Sequence, residues 1–176
     1  YSNKDNLPNH PTLEYLETVD FDEVKFILLS HPHYDHYSGI SDILDYLTNK
    51  NKQIEDFWIT AFQNKDFLIS SYKEACKTKI AERELGRLFS KLNLLEKTNK
   101  VKRIIYAYDQ IRDLVINAEI SLRLLSPSTE ECIKYISNIN FADSEEDQHN
   151  NPRANLLSSV VQIFSKEHNW QILLTS

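Results

Sequence analysis

Apolar side chains fall along this chain in two spacings, short runs of strand length and stripes that recur every three or four residues. The run from Val24 to Ser30 is short and largely apolar, the pattern of a strand buried on both faces. Asp56 to Ala61, Lys102 to Tyr108 and Ile120 to Leu125 read as further strands, the last closing at Ser126-Pro127. Leu156 to Phe164 and Trp170 to Thr175 flank a polar turn and predict an antiparallel hairpin. Helical spacing comes first over 10–19, where Pro11 suits an opening position and Leu13 and Leu16 follow. It returns over 39–49 as Ile40, Ile43, Leu44 and Leu47, an i, i+3, i+4, i+7 stripe. Residues 64–97 predict a long helical insert, either two helices or one with a break near Gly86. Ser128 with Glu131 three positions on is a capping box for a helix through Ile139. Residues 140–153 are acidic and poor in apolar side chains, which predicts a flexible loop. No segment repeats, so residues 1–176 are expected to form one domain.

Composition narrows this picture. A chain of 176 residues is long enough for one domain with a core. It starts at Tyr1 and holds no Met, which reads as a piece of a longer protein. Only Gly39 and Gly86 are glycines, which argues against a glycine-rich phosphate loop. Cys76 and Cys132 lack CxxC spacing, so no disulfide scaffold is needed and a reducing, cytoplasmic setting is the default expectation. No apolar run approaches the ~20 residues of a membrane span. The net charge of −6 does not draw polyanions to the surface as a whole. The local exception, Lys97, Lys100, Lys102 and Arg103, reads either as a solvated charged turn or as a contact for a phosphate backbone.

The candidate chemistry lies directly after the first strand, in His31, Pro32, His33, Tyr34, Asp35 and His36. Alternate side chains of an extended segment share a face, so His31 and His33 can converge on one cation. A turn after Tyr34 lets Asp35 and His36 serve a second, neighbouring cation. Gly39 follows where a tight turn into a helix wants no side chain. Imidazole nitrogen with carboxylate oxygen suits zinc, manganese or iron rather than calcium. His10, His149 and His168 lie ahead of a helix, in the acidic loop and in the hairpin turn, and read as surface residues.

The segment resembles the H-x-H-x-D-H signature of the metallo-β-lactamase superfamily. The likeness is greatest to the branch that includes the domain of bacterial DNA-uptake competence proteins. Three further features carry it: Pro32 between the first two histidines, the strand Ile120 to Ser126 ending in Pro127, and Asn155, Ser158 and Val160 in an N-x-x-S-x-V pattern. The resemblance implies a four-layer αββα sandwich, incomplete here at both ends. An upstream D-x-G turn, and a bridging aspartate expected just past Ser176, both lie outside the chain. It further implies one or two zinc ions, with manganese or iron as alternatives, held by His31, His33, Asp35 and His36. Asp35 would double as the orienter of the attacking hydroxide. Asn155 and Ser158 would support the ligands through hydrogen bonds or simply start a strand. Between His36 and His149 no third histidine occurs, a departure shared with the competence branch. The implied function is a metal-dependent hydrolase of phosphodiesters, with nucleic acid as substrate. The alternatives are hydrolysis of a small ester, lactone or thioester, or a non-catalytic scaffold binding a protein partner through the insert at 64–97.

Overall fold

The structure, a computed structural model, describes residues 10–31, 33–60, 78–108, 113–139, 158–165 and 167–175, with the backbone alone over 135–139. Three apolar runs lie side by side in one direction. They are β1 (Glu23–Leu29), β2 (Gln53–Thr60) and β3 (Val101–Ala107), a parallel sheet in that order. Parallel neighbours cannot be joined by a tight turn and need a crossover. The one-turn helix α2 (Tyr34–Tyr37) and α3 (Ile40–Asn49) cross from β1 to β2, and α4 (Lys79–Lys97) precedes β3. Both crossovers end alike. Asn51 and Asn99 take the left-handed conformation at φ 56° and 54°. Lys52 N–H then reaches back to Leu47 O and Lys100 N–H to Leu95 O, each at 2.8 Å, closing the helix ends before β2 and β3.

As the central strand, β2 fixes where the core lies. Phe57 and Ile59 face the helices, where they pack with Leu29, Leu44, Leu47, Leu85, Leu88, Leu92, Leu95 and Val101. Trp58 faces the other way and packs with Phe26, Leu28, Ile105 and Ala107 against Leu122, Leu124, Val161 and Ile163. Those last residues belong to a second, antiparallel sheet: β4 (Leu114–Val115), β5 (Ile120–Ser126), β6 (Val160–Ser165) and β7 (Trp170–Thr175). The described residues therefore form a mixed α/β fold, layered as helices, parallel sheet and antiparallel sheet. The predicted hairpin is present as β6 and β7. The capping box is present too: Ser128 N–H donates to Glu131 Oε2 at 2.6 Å, and Glu131 N–H to Ser128 Oγ at 3.2 Å, opening α5 (Thr129–Ile139). Among the described residues no helix is long and apolar enough to cross a membrane.

Two expectations need correction. β1 is not buried on both faces. Among the described residues it is an edge strand, half-buried along its length and fully buried only at Leu29. Nor does Gly86 break the insert: α4 runs unbroken from Lys79 to Lys97. Its apolar stripe Ala81, Leu85, Leu88, Leu92 and Leu95 is buried, and that packing outweighs the weak helix propensity of one glycine. The expected loop at 140–153, the earlier part of the insert, and Cys76 lie outside the described residues.

The two glycines predict opposite outcomes. Gly86 is exposed with nothing within 4 Å of an added Cβ. Gly86→Ala is therefore expected to raise unfolding stability by ~0.5–1 kcal/mol, read from the denaturant midpoint. Gly39 caps α3 at φ 84°, and a Cβ there would sit 2.5 Å from His10 Nε2. Gly39→Ala is expected to cost about 1–3 kcal/mol, of which His10→Ala recovers the steric share but not the backbone share.

Candidate metal centre

In a parallel sheet, the groove beyond the carboxyl ends of the strands is where ligands commonly seat. β1 delivers Ser30 and His31 to that end, 7% and 3% exposed. His33 follows in extended backbone and opens α2, which carries Asp35 and His36 on its first turn. Two anchors hold this loop. Tyr37 is fully buried, and its hydroxyl donates to Ala81 O at 3.4 Å. Gly39, under the His10 ring, supplies the left-handed residue that turns the chain into α3.

The three imidazoles converge. His31 Nε2 stands 3.1 Å from His33 Nδ1. The His31 and His36 rings lie 3.7 Å apart between centroids, and those of His31 and His33 4.8 Å apart. Behind them, Ser30 Oγ is 3.3 Å from His31 Nδ1 and 3.1 Å from His36 Nδ1. Asp35 Oδ2 lies 3.7 Å from His36 Nε2, with its side chain 81% exposed. The four residues thus divide into two pairs, an inner His31–His33 pair and an outer Asp35–His36 pair. Burial pushes the His31 imidazolium pKa down to about 4, and the neighbouring His36 and His33 add to the effect. At neutral pH His31 is therefore uncharged and offers a lone pair.

The inner pair offers two donors to a cation, with no third ligand atom within 4.8 Å of both among the described residues. Two nitrogens bound tetrahedrally at the usual zinc distance stand roughly 3.3 Å apart, close to the spacing of His31 Nε2 and His33 Nδ1. His36 Nε2 and Asp35 supply the nitrogen and oxygen donors of the second pair. The four groups do not enclose one shared point. Among the described residues, the trio whose ligand atoms all lie within 4.8 Å of one another is Glu119, Glu167 and His168. That trio is exposed on the β4–β5 and β6–β7 turns, where acidic groups are common without an ion.

The other candidates sit as follows. Asn155 and His149 lie outside the described residues. Ser158 is half-buried and accepts a hydrogen bond from Ser126 Oγ through its carbonyl, at 3.0 Å. Ser159, which sequence reasoning passed over, is the residue that touches the site. Its hydroxyl donates to Ser30 O at 3.2 Å and lies 2.5 Å from Thr60 Oγ1. Neighbours on a strand point to opposite faces, so a motif that names one serine leaves open which of the pair faces inward. Three of the four residues of the basic stretch are engaged by its own surface. Lys102 pairs with Glu23 at 3.6 Å, Lys100 with Asn51, and Arg103 with the buried Asp56 at 2.5 and 2.9 Å.

His31 gives the metal-free protein a pH signature. Its folded pKa of about 4 lies below the ordinary 6.5, so the unfolded chain binds the extra proton between those values. Stability from this group is complete above pH ~6.5 and is lost as pH falls toward ~4, on the order of 3 kcal/mol in all. Denaturant melts of chelator-treated protein check this: His31→Gln is expected to flatten that part of the profile, and an unchanged slope would contradict the assignment. Against this geometry, comparison with protein-family models, curated proteins and solved structures finds no match.

Proposed function

We propose that this chain carries the metal-binding core of a hydrolase of the metallo-β-lactamase type, with a phosphodiester as its substrate class. The carrying observation is the inner pair, two neutral-capable imidazole nitrogens 3.1 Å apart at the carboxyl end of a parallel sheet. The layering of helices, parallel sheet and antiparallel sheet supports the reading, and a helical layer over the outer face of the antiparallel sheet would complete the αββα sandwich. In this reading His31 and His33 hold one cation, while His36 and Asp35 hold a second. Zinc suits the donors, with manganese or iron as alternatives. A bound divalent cation supplies Lewis acidity toward a substrate oxygen and activation of water near neutral pH. The protein's own residues do the rest. Buried His31 keeps its ring uncharged and fixed beside His33, and Ser30 braces it from behind. Asp35, facing solvent beside His36, would accept a hydrogen bond from an incoming water and so aim it at the substrate.

A second reading, a small ester, lactone or thioester as substrate, is favoured by the charge pattern. The net charge is −6, and Lys102 and Arg103, at the amino-terminal end of the parallel sheet and away from the histidine loop, are paired with acids. One set of experiments separates the two. Elemental analysis of the purified protein is expected to find one to two divalent metals per chain. Labelled single- and double-stranded DNA, with Zn2+ or Mn2+, is expected to be cleaved, and Asp35→Ala to lose on the order of 100-fold in rate. Metal binding with ester but not DNA hydrolysis would favour the second reading. Absence of bound metal, or undiminished cleavage by Asp35→Ala, would remove the hydrolase proposal and leave a scaffold.

A further inference from the structure

A neutral imidazole has one N–H and one lone pair, so whichever nitrogen donates leaves the other to bind a cation. A serine hydroxyl has one proton and two lone pairs, and cannot donate to two rings at once. Ser30 Oγ lies within hydrogen-bond distance of Nδ1 on both His31 and His36, at 3.3 and 3.1 Å. At least one of the two rings, when neutral, must therefore carry its proton on Nδ1. The far sides of the rings decide the rest. His31 Nε2 faces His33 Nδ1, and His36 Nε2 faces Asp35. A ligand role for either Nε2 requires a lone pair there, and hence Nδ1–H on that ring.

We propose that Ser30 is a positioning residue whose hydroxyl accepts from Nδ1–H of both His31 and His36, presenting both Nε2 atoms outward as ligating nitrogens. The proposal rests on the metal-binding reading and says how that site is set. Ser30 suits the task because it is itself immobilised. It is 7% exposed and follows β1 directly, and its carbonyl accepts from Ser159 Oγ at 3.2 Å. Ser159 is tied in turn to Thr60 at the end of β2, 2.5 Å between hydroxyls. The backbone that carries this hydroxyl is thus tied, through Ser159, to the end of β2. Loss of a group that orients a metal-binding histidine typically weakens metal binding by roughly 10–100-fold.

The test reads tautomers as well as affinity. In chelator-treated full-length chain at neutral pH, long-range 15N–1H correlations are expected to show His31 and His36 as Nδ1–H tautomers. Ser30→Ala is expected to move at least one of them to Nε2–H. Its Zn2+ affinity, measured by competition with a chromophoric chelator, should fall by roughly 10–100-fold. Ser30→Thr, which keeps the hydroxyl, should restore both readouts. Wild-type rings protonated on Nε2 would overturn the proposal without need of any variant. So would Ser30→Ala with wild-type tautomers and affinity. If the wild type bound no Zn2+ while its rings were Nδ1–H and shifted in Ser30→Ala, the positioning role would stand and the metal reading alone would fall.

Discussion

The structure depends on one strand being buried on both faces. β2 carries Phe57 and Ile59 toward the helices and Trp58 toward the second sheet, all at most 1% exposed. A strand cannot leave either face wet at that apolar load, so helices must cover one side and a sheet the other. Parallel pairing to β1 and β3 then brings three carboxyl ends to one edge of the molecule. The histidine loop emerges at that edge. Its location follows from the burial of a neighbouring strand rather than from any property of histidine.

That scaffold also explains the unequal treatment of the four candidate ligands. His31 comes straight off the buried end of β1 at Leu29, and its own burial keeps the ring uncharged at neutral pH. His33, two residues on, returns to the same side, as extended backbone requires. Asp35 and His36 sit on a single helical turn, where Asp35 stays in solvent and His36 folds back over His31. The four side chains thus differ in desolvation, from the enclosed His31 through the half-buried His33 and His36 to the open Asp35 carboxylate.

Much of this was legible in the sequence, for definable reasons. Apolar runs placed β2, β3, β5 and the β6–β7 hairpin, helical spacing placed α3 and the capping box placed α5, although β7 itself is exposed along its length. Gly86 misled because a local propensity was weighed without the buried stripe Leu85, Leu88 and Leu92 that overrides it. β1 misled because a strand's composition does not say whether it stands at the edge or the centre of its sheet. At the loop, the three histidines, the aspartate and their spacing were visible, whereas the contacts of Ser30, Ser159 and Thr60 were not. Their contacts join residues 99 and 129 positions apart, and no local pattern encodes which hydroxyls a fold will bring together.

The contact between His10 and Gly39 has a mechanical consequence. The imidazole at the head of α1 fills the space where any other residue at 39 would project. A side chain at 39 and that ring compete for one volume, so the start of α1 and the entry to α3 are sterically linked.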